Sequence, residues 1–227
     1  MIKRRFKASP VKVTGVAPDM QPFESSLEED FYFLLRFRQG KDVVSFSRPT
    51  ESVVWHDQAG KRRKYTPDVL VEFAASADAP NGAHMLCEIK PDFDDRDNPK
   101  ARLPRDEDEQ ENRCKWLAAT NFAVTRGWTF KVWRESDIRT PFLENAKFLM
   151  RPYERPGSDN GRERLLSLLR EGGPAALGTL MSQAEPDLER RARLYPTLYT
   201  AIARGQIHAD LSVRLSLKTV LSARDAA

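Results

Sequence analysis

Long apolar runs are missing from this 227-residue chain. None approaches the roughly 20 residues needed to cross a bilayer, which excludes a membrane-embedded protein. Cysteine is scarce too. Cys87 and Cys114, with three scattered histidines, make neither a zinc pattern nor a disulfide framework. Two cysteines in a chain of this length read as buried or incidental thiols in a reducing compartment. The opening "MIKRRFKASP" is basic but has no apolar stretch and no small-residue cleavage site, so export is not expected. No internal repeat is present. The content, 40% hydrophobic and 31% charged, is that of an ordinary soluble protein. A net charge of +4 and a pI near 9.1 suit a polyanionic partner without requiring one.

The length suggests one larger and one smaller unit. Residues 1–22 hold three prolines, a glycine and five Lys/Arg without periodicity, so a basic extended arm is expected. "ESSLEEDFYFLLRF" then places Leu27, Phe31, Leu34 and Leu35 at helical spacing, with Ser25 as N-cap and Glu28 three residues on. This predicts a helix over 26–38. Strands are expected at 42–47, 51–56, 64–73 and 84–90, the first two paired through Pro49 and the next two as a hairpin. A proline-broken acidic stretch follows, then a helix over about 106–126 ending at Gly127, and the strand "WTFKVWR". The expected class is α/β, a mixed sheet flanked by helices and occupying residues 23–150. "RPYERPGSDNGRER" reads as a linker over 151–163. Residues 164–227 then give three short helices, the third interrupted near Pro196, and an alternating "QIHADLSVRLSL", the outline of a small winged-helix-like domain, with a plain small helical domain as the alternative.

Two short stretches carry the chemistry. In "MLCEIKP" a strand puts Glu88 and Lys90 on one face and Cys87 and Ile89 on the other. In "YTPDVLVEF" Asp68 follows Pro67 at a strand start, and a hairpin pairing lets it approach Glu88. Neighbouring carboxylates repel unless a cation lies between them. Hard oxygen ligands of this kind suit Mg²⁺ or Mn²⁺, with the Ile89 backbone carbonyl as a neutral third ligand. Such an ion would acidify a bound water and neutralise charge on a phosphate, and Lys90 could orient that water or stabilise the transition state. A plain cross-strand surface pair, contributing ~0.2–1 kcal/mol, is the competing reading of the same residues. Glu28 lies at the edge of its helix's apolar stripe at about 100° per residue. It serves either that site or a capping box with Ser25.

Taken together, Glu28 on a leading helix, "TPDVLVEF", "LCEIKP", a charged loop, the helix "EDEQENRCKWLAATNFAVTRGW" and the strand "TFKVW" resemble the PD-(D/E)xK nuclease superfamily. "SSLEEDFYFLL", "VVSFSRP" and "RESDI" narrow the resemblance to TnsA, the endonuclease subunit of heteromeric cut-and-paste transposons, over roughly residues 20–220. The resemblance implies a restriction-endonuclease-like fold, with Glu28, Asp68, Glu88 and Lys90 as the active site and one or two Mg²⁺ bound, Mn²⁺ being able to substitute. Some TnsA sequences have glutamine where this chain has Glu88; either supplies an oxygen. It also implies nicking of double-stranded transposon ends at their 5′ ends, beside a transposase of the TnsB type. A C-terminal domain docking on an AAA+ ATPase regulator of the TnsC type is implied as well. The expected setting is cytoplasmic and DNA-associated.

Other basic residues are candidates for phosphate contacts: Arg4 and Arg5 in the arm, and Lys61, Arg62, Arg63 and Lys64 in a loop before the Asp68 strand. A solubilising turn is the alternative for those four. Arg190, Arg191 and Arg193 lie on a possible recognition helix, for which the resemblance favours partner docking. The acidic loop 92–97 reads as solvated charge, and Trp116, Trp128 and Trp133 as core. Two other functions compete: a restriction or junction-resolving nuclease of the same fold, and a non-catalytic winged-helix DNA-binding or adaptor protein.

Overall fold

A computed structural model describes residues 15–16, 22–23, 25–92, 106–153 and 159–224. The chain divides into two compact units, Met1–Ile138 and Arg139–Ala227. Among the described residues no helix is long and apolar enough to cross a membrane.

The first unit opens with a two-residue ladder of β1 (Gly15–Val16) and β2 (Pro22–Phe23). The rest of the arm, with Arg4 and Arg5, lies outside the described residues. Helix α1 (Ser26–Arg38) starts where expected: the Ser25 hydroxyl accepts the Glu28 N–H at 3.1 Å, satisfying one of the free donors of the first turn. Leu27, Phe31, Leu34 and Leu35 are buried as the periodicity requires, joined by Tyr32 and Phe37. β3 (Val43–Ser47), β4 (Val53–His56), β5 (Arg62–Tyr65), β6 (Val69–Phe73) and β7 (Ala83–Lys90) follow, then α2 (Asp106–Val124), β8 (Thr129–Arg134) and α3 (Glu135–Ile138).

The main sheet has the order β3-β6-β7-β8. β6 and β7 form the expected antiparallel hairpin, with Val69 opposite Cys87. β7 and β8 run parallel, so the chain must cross over between them, and α2 is that crossover. The strand pairing around Pro49 differs from expectation. β3 pairs with β6, whereas β4 pairs with β5 in a separate two-stranded sheet closed through 57–61. In that turn Asp57 gathers the N–H groups of Ala59 and Lys61, which makes 57–61 rather than Pro49 the hairpin corner.

β7 is an internal strand, and Leu86, Cys87, Glu88 and Ile89 are all buried on it. Ring contacts show what covers each face. Phe31 of α1 meets Trp133, the β8 partner of Ile89, at 5.2 Å between centroids. On the other face the Arg134 guanidinium, beside Lys90 in register, stands 5.4 Å over the Trp116 ring of α2. Of the tryptophans expected in the core, Trp116, Trp128 and Trp133 are half-buried; Trp55, at 5% exposure, is the enclosed one.

The second unit contains α4 (Pro141–Tyr153), α5 (Asp159–Gly172), β9 (Ala175–Ala176), α6 (Leu177–Ala184), α7 (Leu188–Ala203), β10 (Ile207–Ala209) and β11 (Val220–Ala223). Helix α4 occupies a stretch that the sequence reading assigned to the first unit and the start of the linker; its buried Leu143, Ala146 and Leu149 belong to the second unit's core. Pro196 sits inside α7, which remains one helix. The small sheet has the order β10-β11-β9, so the hairpin closes with 220–223 rather than within "QIHADLSVRLSL". The intervening loop is held from α4: the Asn145 amide donates to the Leu211 and Val213 carbonyls at 2.9 and 2.8 Å, and its oxygen accepts the Leu215 N–H at 3.1 Å.

Candidate active site

Pro67 has no N–H to give the ladder, and β6 begins only at Val69. Asp68 lies at that break. Its own N–H still reaches the Cys87 carbonyl at 3.0 Å, while its carboxylate Oδ2 accepts the Ile89 N–H at 2.7 Å. The side chain therefore continues the sheet where the backbone cannot. Extending the register past Val69 and Cys87 sets Asp68 opposite Glu88.

Glu88 is 7% exposed. Its Oε1 receives the Lys90 ammonium at 2.7 Å, and its Oε2 is buried with no hydrogen-bond partner among the described residues. Burial first, and then the Asp68 charge, push the Glu88 carboxyl up to about 7 against the pull of Lys90. Burial alone would lower the Lys90 ammonium. The charges of Glu88, Asp68 and Glu28 outweigh it and hold Lys90 above its ordinary value, so Lys90 keeps its proton at neutral pH.

Glu28 thus bears on the site through Lys90, and its carboxylate accepts a hydrogen bond from the Ser25 hydroxyl at 3.3 Å. It does not complete a three-carboxylate cluster. Among the described residues no group of three or more His, Cys, Asp or Glu side chains is placed to hold a metal. Asp68 and Glu88 remain the acidic pair.

The basic residues before the Asp68 strand lie on the β4–β5 hairpin, Arg62, Arg63 and Lys64 in β5 itself rather than in a loop, and all four are exposed. Arg63 is committed internally, with its Nε 2.9 Å from Asp57 Oδ2, an ion pair that lowers the Asp57 carboxyl. Asp92, read as solvated charge, instead accepts from the Ser136 N–H at 2.9 Å and its hydroxyl at 3.2 Å; 93–97 lie outside the described residues. In the second unit Arg191 is occupied as well: it donates to the Glu185 and Pro186 carbonyls and to the Ser182 hydroxyl, locking the turn between α6 and α7. Arg190 and Arg193 are exposed.

The sequence reading missed two residues near the acidic pair. Lys115 on α2, paired with Glu111 and 5.3 Å over the Trp55 ring, adds positive charge near Glu88. Tyr65, at the end of β5, has a hydroxyl oxygen that is sealed from solvent and has no hydrogen-bond partner among the described residues. Burial, Glu88 and Asp68 together raise this phenol well above its usual value. Neither residue falls in a spacing pattern that marks it in the sequence.

In comparison with known families, residues 40–135 match the family described as TnsA-like endonuclease N terminal. The matched stretch covers less than half of the chain. It contains Asp68, Glu88 and Lys90 but begins after α1, so Glu28 lies outside it. No curated protein matches the chain. The match and the mixed sheet support a TnsA-like nuclease domain with a restriction-endonuclease-like fold in the first unit.

Proposed function

We propose that the chain is the metal-dependent DNA endonuclease subunit of a heteromeric cut-and-paste transposase, nicking the 5′ ends of the element. One observation carries this reading. A buried Glu88 faces Asp68 across a hairpin, with a protonated Lys90 on the same strand face, inside the segment that matches TnsA-like endonucleases.

The acidic pair fits a cation. Glu88 has a buried oxygen with no partner among the described residues, and its carboxyl is pushed up by burial and by the Asp68 charge that shares its surroundings. A positive ion between them would relieve both penalties. Asp68 and Glu88 would hold Mg²⁺, with the Ile89 carbonyl as a neutral ligand and Mn²⁺ as a substitute. When bound, that ion acidifies a water and stabilises charge on the scissile phosphate. Lys90 would stabilise negative charge on the phosphate or orient the attacking water. The Ile89 N–H fixes the Asp68 carboxylate, and Glu28 adds negative charge that keeps Lys90 protonated.

The partners proposed are double-stranded transposon ends, a TnsB-type transposase and a TnsC-type AAA+ regulator. Lys61, Arg62 and Lys64 are exposed and available for phosphate contact, and Arg4 and Arg5 of the basic N-terminal arm are proposed as further phosphate contacts. The second unit is read as winged-helix-like, supported by the order α5-β9-α6-α7-β10-β11 that follows α4. The test is nicking of supercoiled plasmid in Mg²⁺ by the full chain, alone and with its neighbouring transposase. Asp68→Ala and Lys90→Ala should each abolish it while the fold persists. Nicking that survives both substitutions defeats the reading.

A further inference from the structure

Tyr65 presents a buried hydroxyl without a hydrogen-bond partner among the described residues. A buried hydroxyl without a partner is costly, and such groups in native proteins require an explanation. Its position supplies one. In the β4–β5 ladder Tyr65 pairs with Val53, and both share the strand face of Trp55, since side chains alternate along each strand. Val53 and Trp55 are buried on that face, and Lys115 of α2 covers the Trp55 ring. Helix α2 also covers the Glu88 and Lys90 face of the main sheet, where the Trp116 ring lies against Arg134. Tyr65 and Glu88 therefore approach the same helix from the two sheets, and the chain joins them by only three steps from Tyr65 to Asp68. Around α2 the described residues thus hold a sealed acceptor, Glu88 Oε2, and three sealed donors without a partner, the Tyr65 hydroxyl and the indole N–H groups of Trp55 and Trp116. Of these the Tyr65 hydroxyl can rotate to aim its proton, and its charge environment is set by Glu88 and Asp68.

We propose that Tyr65 is a positioning residue of this site: its hydroxyl donates a hydrogen bond to the Glu88 carboxylate when that carboxylate turns from Lys90 to ligate a divalent cation. Carboxylates that hold metals are themselves held by hydrogen bonds, and those outer partners set ligand orientation and affinity. Each carboxylate oxygen has lone pairs enough to serve a cation and a hydroxyl together. The phenol keeps its proton, because burial first and then the neighbouring acids disfavour its anion. This inference rests on the nuclease reading of the acidic pair.

The test is a Mn²⁺ titration of the metal-free full chain, with free Mn²⁺ read by electron paramagnetic resonance, alongside thermal unfolding without metal. Wild type should bind Mn²⁺ at a site that Glu88→Gln abolishes. Tyr65→Phe, which removes only the hydroxyl, should weaken that binding about 10- to 100-fold. Without metal it should unfold at the same temperature as wild type or higher, because an unpartnered buried hydroxyl is gone. A purely structural hydroxyl predicts the reverse on both counts. Unchanged Mn²⁺ affinity, or a melting point several degrees lower, overturns the proposal and leaves the nuclease reading intact. Wild type that lacks any Glu88-dependent site defeats the nuclease reading, and this role of Tyr65 falls with it.

Discussion

The Asp68 carboxylate accepts the backbone N–H of Ile89 at 2.7 Å, so one side chain both extends the sheet and presents an acid to Glu88. These two duties separate on substitution. Asp68→Asn keeps an oxygen acceptor and should change stability little, whereas Asp68→Ala strands a backbone donor and should cost about 1.5–3 kcal/mol. Both should abolish Mg²⁺-dependent nicking. Urea unfolding combined with plasmid nicking checks the pair; nicking retained in Asp68→Asn would show that the charge is not needed.

Glu88 makes the metal-free protein sensitive to pH in a defined direction. Its carboxyl is raised from 4.5 to about 7 in the fold, so between those values the unfolded chain releases a proton that the folded chain keeps. Deprotonation then favours the unfolded state, and the Glu88 contribution to stability should decline as pH rises from about 4.5 to about 7 and level off above. The difference in stability between wild type and Glu88→Gln, measured in chelator across that range, isolates the effect. A flat difference contradicts it.

The hairpin that sets Asp68 opposite Glu88 closes at Gly82. Its φ is 78°, and a Cβ there would lie 2.7 Å from the Phe73 carbonyl oxygen. Gly82→Ala meets both the left-handed backbone and the clash, and should cost roughly 1–3 kcal/mol. Nicking should fall with it, because the β6–β7 register positions the acids. Unchanged thermal stability would argue against this turn geometry.

In the second unit Asn145, 3% exposed, ties three backbone groups of the loop 211–215 to α4. Asn145→Ala leaves those groups unpaired and should destabilise the unit by about 2–4 kcal/mol. Hydrogen exchange of the Leu215 amide should accelerate, while the exchange of β6 and β7 stays unchanged.

Local periodicity made the hairpin and α1 readable. Leu27, Phe31, Leu34 and Leu35 mark a helical face, and Ser25 with Glu28 marks its start, because these signals act within a few residues. Asp68, Glu88 and Lys90 were readable for the same reason, since strand alternation and one hairpin bring them together. Strand pairing across Pro49 was not readable, because β3 pairs with β6 across an inserted hairpin and only the assembled sheet dictates that choice. Helix α4 was overlooked although Pro141 at its first position and Leu143, Ala146 and Leu149 carry a helix signal; the arginine- and proline-rich end at 151–155 masked it. Tyr65 and Lys115 leave no mark in the sequence. Their nearness to Glu88 arises when α2 packs between the two sheets, a relationship that no spacing encodes.

The most direct measurement is the anomalous density of a crystal soaked in Mn²⁺. A peak bounded by the Asp68 and Glu88 carboxylates is expected in wild type and should vanish in Glu88→Gln. Crystals that take up Mn²⁺ elsewhere, with the Asp68 and Glu88 oxygens left without an ion, would contradict a cation-dependent nuclease at this site.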